Sequence, residues 1–243
     1  NLADLWVDNR STTWTADQTS AFCSALTAAW ATSPPLEANL DSCEARRVVQ
    51  GALFHTNDTG DHIINSLWHG IPANANADRV WMPDGHSQGR VAQTASEIVI
   101  DAHVAEALEL DLGDTVNVGA GNASEAYEVV GIGYHPLHVI MAPEGSLFPP
   151  EAGQYVVGYL SEEGMARMVG DEVGASNTLL LDVEGTPSFD LPDTEDYEGE
   201  EMDAVKTLVE GIMEEVELDG RVRDRGQNEQ VEVLRQDLEA TKR

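Results

Sequence analysis

A Gly-x-Ser-x-Gly motif at residues 85–89 is the sharpest catalytic candidate in the sequence. In α/β-hydrolases this motif follows a buried strand and presents its serine, here Ser87, as a nucleophile on a strained turn. The residues before the motif end in a Pro83-Asp84 turn, and the last histidine, His138, follows too soon for the further β-α units that such a fold needs. We therefore interpret the motif as a turn, and we keep a secreted serine hydrolase as the alternative function.

Other residues that bind metals or cofactors elsewhere lack the required spacing here. His135 and His138 could supply two nitrogens to zinc, but Pro136 interrupts the helical spacing that would place them on one face. The acidic run at 193–201 lacks the spacing and the glycine of a calcium-binding EF-hand loop. Gly119-Ala120-Gly121 opens no helix, and the sequence contains no Walker A motif. The sequence therefore predicts no catalytic residue, no metal site and no cofactor.

Two cysteines and three glycosylation sequons bear on location. Cys23 lies on a predicted helix beside its apolar stripe, and Cys43 begins the strand that returns past this helix, so a disulfide between them is predicted. Two buried free thiols are the alternative. Sequons at Asn9, Asn57 and Asn122 are candidate glycosylation sites. Both features are typical of proteins outside the cytoplasm.

The charge of the chain is strongly acidic. It has 44 acidic and 13 basic residues and a net charge of −31, and only Lys206 and Lys242 are lysines. A nucleic-acid partner is disfavoured because the phosphate backbone would be repelled. The acids are spread along the whole chain, so we interpret them as a surface kept hydrated in concentrated salt, where self-repulsion is screened. This composition predicts a halophilic source.

The elements at the two ends of the chain follow the pattern β-α-β. Thr15, with a glutamine three residues later, forms a capping box before a helix that two prolines end. Cys43 to Phe54 then predicts a strand. The clearest helix has an apolar stripe from Met202 to Val216, and a thinner amphipathic helix is predicted over Gln227–Arg243.

The centre of the chain, Ser96 to Tyr134, predicts a compact β-rich unit. A β-branched strand at Glu97–Ile100 leads into a short helix that Asp101 caps, and strands at Thr115–Val118 and Ala126–Ile132 follow. The predicted buried side chains of this unit are Ile98, Ile100, Val116, Val118, Val129 and Ile132.

This central pattern resembles the extracytoplasmic domain of MacB/FtsX-type ABC transporter permeases. That family repeats an apolar strand, an Ala-rich helix, Leu-Gly-Asp, a strand and a Tyr-x-Val-Val-Gly-Ile strand, here ending at Tyr127–Ile132. Further matches occur in order along the chain, at Glu44-Ala45-Arg46, residues 145–150, Tyr155–Leu160 and Ser176–Leu181.

The resemblance implies a two-lobed α+β fold on the extracytoplasmic side of the cell membrane. Residues 1–56 and 151–225 would form a membrane-proximal lobe of β-α-β units. Residues 57–150 would form an inserted distal β-rich lobe, and 226–243 a helix leading back to the membrane. The chain begins at Asn1 rather than Met, and no stretch approaches the ~18 apolar residues that cross a bilayer, so we expect a fragment or a processed product.

The implied function is mechanical rather than catalytic. Such a domain couples ATP hydrolysis by a cytoplasmic ABC ATPase subunit to transport or extrusion of a lipoprotein, lipid, peptide or drug, or to a cell-envelope partner. It is tethered to the membrane at both ends, and the complete transporter forms a dimer in this reading. An extracellular binding or adhesion module is the second alternative, beside the hydrolase.

Overall fold

The computed structural model describes residues 2–9, 11–57, 60–80, 88–120, 123–135, 137–138, 142–143, 146, 150–184 and 200–227. Runs of consecutive strands are separated by single helices, in agreement with the predicted α+β class. The helices are α1 (Ala16–Thr32), α2 (Ala102–Leu108), α3 (Glu162–Val169) and α4 (Glu200–Glu215), and Arg225–Gln227 forms a short 3-10 turn. The strands are β1 (Leu5–Asp8), β2 (Leu40–Asn57), β3 (Gly60–Ile71), β4 (Gln88–Gly89), β5 (Glu97–Asp101), β6 (Thr115–Ala120), β7 (Ala123–Gly133), β8 (Tyr155–Ser161), β9 (Thr178–Val183) and β10 (Arg221–Asp224).

The chain divides into two compact units. Residues 1–45 and 176–243 form the terminal unit, and residues 46–175 form the central unit. In the described part of the chain, no helix is long and apolar enough to cross a membrane.

In the terminal unit, β10, β1 and β9 are consecutive antiparallel strands of the sheet, and β9 also neighbours β2. β1 lies in the middle and pairs with β9 and β10, so that Val7 faces Leu179 on one side and Val222 on the other. Helices α1 and α4 supply apolar faces that cover the sheet, as their stripes predict. Its main hydrophobic core cluster contains the buried side chains of Leu5, Val7, Trp14, Phe22, Leu26, Trp30, Leu179, Leu181, Val183, Val205, Val209, Ile212, Met213 and Leu218.

Helix α1 begins at the predicted capping box and is joined to β2 by the predicted disulfide. The Thr15 hydroxyl accepts a hydrogen bond from Gln18 N at 3.2 Å, and the Gln18 side chain accepts one from Thr15 N at 2.9 Å. Cys23 forms the predicted disulfide with Cys43, with Cα atoms 5.7 Å apart, so the alternative of two free thiols is excluded.

In the central unit, the strand pairings form a closed cycle of six strands. β2 pairs with β3, β3 with β8, β8 with β5, β5 with β7, β7 with β6, and β6 with β2 again. Trp68 is fully buried and lies over Gly158, where a Cβ atom would come within 2.5 Å of the indole ring. The predicted core residues Ile98, Ile100, Val116, Val118 and Val129 are buried, and Ile132 is partly buried against them.

The two compact units have bounds that differ from those of the predicted lobes. Residues 151–175, predicted to lie with the chain ends, belong to the central unit, as do residues 46–56. The physical reason is that β8 is buried along its whole length and needs a partner on each edge, which β3 and β5 provide. Residues 79–80 are not in a strand, and residues 81–87 lie outside the described residues. The helix predicted over Gln227–Arg243 also lies outside them, except for Gln227.

Candidate functional site

The serine motif lacks the sequence context of a hydrolase nucleophile turn, and the two described residues that follow its serine are extended. Ser87 lies outside the described residues, but Gln88 and Gly89 form β4, antiparallel to Ile132 and Gly131 of β7. A hydrolase elbow leads from a strand into a helix. An extended segment directly after the serine therefore disfavours that class of enzyme, while the turn interpretation of Ser87 stays a prediction.

The three glycosylation candidates differ in what the structure describes. Asn9 is buried, and its Nδ2 atom, the atom that would carry a glycan, donates to Thr12 Oγ1 at 2.8 Å and to Asp219 O at 3.0 Å. A glycan on this nitrogen would have to displace one of these two hydrogen bonds, so the structure disfavours glycosylation at Asn9, and the modification stays a prediction. The side chain of Asn57 and all of Asn122 lie outside the described residues.

The central unit brings His135 and His138 together with a third histidine, His69. Side chains alternate across a strand, so His69 points to the face opposite Trp68. The parallel pairing of β3 and β8 sets His69 beside Tyr159 on that face. His135 comes two residues after the end of β7, and its ring stacks on the ring of His69. We refer to His69, His135 and His138 as the histidine cluster.

The rings of the histidine cluster are in mutual contact. His69 Nε2 and His138 Nε2 lie 2.9 Å apart, within hydrogen-bonding distance. The centroid of the His135 ring lies 5.2 Å from that of His69 and 5.3 Å from that of His138. The same ring stacks on Tyr159 at 5.3 Å with an interplanar angle of 12°. Two of the three histidines, His69 and His135, are buried, and His138 is partly buried.

Burial and a nearby cation keep the histidine cluster neutral. Desolvation is the largest cause that lowers the pKa of His69 and of His135 well below the usual value, and the neighbouring histidines and Arg46 lower it further. Desolvation alone lowers the pKa of His138 to about 4. Burial also raises the pKa of the Tyr159 hydroxyl, which the Asp101 carboxylate raises further.

The histidine cluster does not have the geometry of a metal centre. Within the described residues, no group of three or more His, Cys, Asp or Glu side chains is arranged to hold a metal ion. Arg46 is buried, and its guanidinium donates to the carbonyls of Ala77 and Asp78, so a fixed positive charge already lies close to the imidazoles. A second cation there would be repelled. The arrangement suits neutral imidazoles that share hydrogen bonds.

A second arrangement joins the two ends of the described chain in the terminal unit. Because β1 and β10 are antiparallel, the residues before Leu5 and after Asp224 leave the same end of the sheet. Arg225 Nε donates to Ala3 O at 3.0 Å, and its guanidinium also contacts the Leu2 carbonyl. The same guanidinium pairs with the Asp4 carboxylate at 2.9 Å.

Further ion pairs hold β10 to its neighbours. Arg223 donates to the Asp8 carboxylate with Nε at 2.7 Å and with a terminal nitrogen, and Lys206 of α4 pairs with Asp224. Three of the 13 basic residues therefore neutralise acids at this one place. We call the set Asp4, Asp8, Lys206, Arg223, Asp224 and Arg225 the end clamp.

Sequence reasoning predicted neither arrangement. It considered His135 and His138 as a pair and did not connect them with His69, which stands 69 positions before His138. Arg46 was noted only as part of a family motif. The one available signal was the scarcity of basic residues, which makes Arg223 and Arg225 near the end of an acidic chain unusual.

Comparisons with known proteins give the following results. No protein-family model matches the chain, and no curated protein matches it. Among solved structures, the chain is similar to the periplasmic region of MacB from Actinobacillus actinomycetemcomitans, with 11% identity and a TM-score of 0.49 over 98% of this chain and 92% of that chain. It is also similar to the extracellular domain of the noncanonic ABC-type transporter YknZ from Gram-positive bacteria, with 14% identity and a TM-score of 0.44 over 92% of this chain and 99% of that one. The first bears the name of the family that the central sequence pattern resembles.

Proposed function

We propose that this chain is the extracytoplasmic domain of an ABC transporter permease subunit. The ordered set of sequence motifs supports this proposal, and one observation on the fold carries it: the two ends of the described chain emerge together from the terminal unit. A domain inserted between two membrane helices of one subunit needs its ends close together on one side. A secreted enzyme has no such requirement.

The proposed role is to transmit motion. Two membrane helices that move when the cytoplasmic ATPase subunit hydrolyses ATP would act on β1 and on the segment after β10. Because the end clamp ties these segments to each other and to α4, they would move as one rigid body rather than separately. The cargo or partner in this proposal is a lipoprotein, lipid, peptide or drug, or a component of the cell envelope. The terminal unit would lie nearer the membrane because it contains both ends.

Cysteine labelling in intact cells tests the proposed location. Ile63 on β3 is 73% exposed, so an Ile63→Cys variant of the complete gene product should react with a membrane-impermeant maleimide. Cys23 and Cys43 are joined in a disulfide and therefore do not react with the maleimide. Labelling that occurs only after the membrane is permeabilised would place the domain on the cytoplasmic side and refute the proposal.

ATP hydrolysis by the reconstituted complete transporter tests the proposed coupling. An Asp8→Ala and Arg223→Ala double variant should retain basal ATP hydrolysis, because the ATPase site lies on another subunit, but should lose its response to the transported substrate or partner. Arg221→Ala is the matched control, because Arg221 is an exposed residue of the same strand. An unchanged response in the double variant would show that the end clamp transmits nothing.

A further inference from the structure

The contact between His69 and His138 limits the charge that the histidine cluster can carry. At 2.9 Å, one Nε2 atom donates a proton and the other must accept it, because two N–H groups cannot point at each other. At least one of the two rings is therefore neutral in this arrangement. If both became imidazolium ions, the hydrogen bond would be replaced by steric and charge repulsion.

The hydrogen bond that His135 accepts also requires a neutral ring. Its Nδ1 atom accepts a hydrogen bond from Leu137 N at 3.2 Å, so this nitrogen is unprotonated. Its Nε2 atom is buried. Protonation of His135 would remove the acceptor for Leu137 and leave a buried cation against the face of Tyr159.

The charged groups around the histidine cluster do not offset an added positive charge. Arg46 of β2 is a cation and lowers the pKa of His69 and His135. In the segment after β3, a backbone hydrogen bond with Asp78 raises the pKa of His135 and so partly favours its protonated form. The Asp101 carboxylate of β5 raises the pKa of Tyr159 of β8. The same carboxylate is already hydrogen-bonded to the backbone amide and the ring of His103. From α3, Glu162 interacts with Arg46.

We propose that the histidine cluster is a pH-responsive contact that holds His135 and His138 against His69 of β3 when neutral and releases them when protonated. Residues 135, 137 and 138 are the part of this chain that would detach. The proposal goes beyond the proposed transport function and does not depend on it, because it needs only the fold of the central unit.

The size of the effect follows from His138. In the detached state its pKa should return to about 6.5, and in the attached state it is about 4. A histidine with a lowered pKa stabilises the attached state fully above about pH 6.5, and this contribution is lost progressively as the pH falls to about 4. From these two values, detachment at about pH 5 should be about 30-fold more frequent than at about pH 7.5.

Amide hydrogen exchange on the intact 243-residue protein tests the proposal at the residues involved. The protection factors of the Leu137 and His138 amides should fall about 30-fold between about pH 7.5 and pH 5, while those of β5 stay constant. In His138→Gln, which keeps a neutral hydrogen-bonding side chain, most of this pH dependence should disappear. His62→Gln, which removes an exposed histidine of β3, should behave as the unaltered protein.

A histidine-selective NMR titration of the unaltered protein gives an independent answer if the variant does not fold. The proposal expects at least His69 and His138 to titrate well below 6.5 in folded protein. Titration of all three rings near 6.5 would overturn it. Protection factors that change less than about 3-fold between the two pH values, or a full pH dependence retained in His138→Gln, would overturn it as well.

Discussion

Removal of the Arg225 guanidinium should destabilise the terminal unit far more than removal of any exposed arginine. Asp4 is 3% exposed, and in Arg225→Ala its carboxylate loses its ion-pair partner and keeps a hydrogen bond from Val183 N at 2.7 Å. The Leu2 and Ala3 carbonyls lose their donor in the same variant.

The magnitude follows from the burial of the two partners. Breaking a fully buried ion pair from one side costs about 3–5 kcal/mol, because the remaining charge is uncompensated. Arg225 is 21% exposed, so water can solvate part of the site, and we expect the free energy of unfolding to fall by about 2–4 kcal/mol. In an Asp4→Asn background the same substitution should cost about 1–3 kcal/mol less, because no buried charge is left.

Urea denaturation followed by tryptophan fluorescence measures this change, since Trp6, Trp14 and Trp30 all belong to the terminal unit. Arg221→Ala is the control, because it removes the same charge from an exposed position of β10 and should change the free energy of unfolding by less than about 0.5 kcal/mol. The reasoning is refuted if Arg225→Ala is no worse than Arg221→Ala, or if the effects of the Asp4 and Arg225 substitutions simply add.

Four other measurements test separate parts of the interpretation. Replacing Cys23 and Cys43 by serine should lower the free energy of unfolding by about 3 kcal/mol, and two titratable thiols in unreduced, denatured protein would reject the bond. Ser87 should not react with a fluorophosphonate probe in folded protein, and stoichiometric labelling lost in Ser87→Ala would revive the hydrolase. The melting temperature should rise as salt is raised from about 0.01 M to 1 M, where the Debye length falls from about 30 Å to 3 Å; a flat or falling melting temperature would remove the halophile argument. A hydrogen-bonded ion pair with Arg90 lowers the pKa of Glu97 to about 2, so this carboxylate stabilises the fold above about pH 4.5 and the contribution is lost as the pH falls toward 2. Glu97→Gln should therefore flatten the acid limb of the stability profile, and an unchanged limb would contradict this.

The local structure of the chain could be predicted from the sequence because its signals act over a few residues. The Thr15 capping box and the Asp101 cap both form, since each side chain reaches only amides of the first helical turn. Alternation of apolar residues also identified the central core, because the two-residue period of a strand sets which side chains share a face.

Partner choice between distant segments required the tertiary structure. The sequence prediction placed β8 with the chain ends, although β8 pairs with β3 and β5. Its apolar residues would fit any buried sheet, and only strand register and burial on both faces select its partners. The end clamp joins Arg225 to Ala3, which stands 222 positions earlier, and no local pattern links them. The histidine cluster is the same case: strand alternation sets the face on which His69 lies, and the return of the chain after β7 decides that His135 and His138 meet it there.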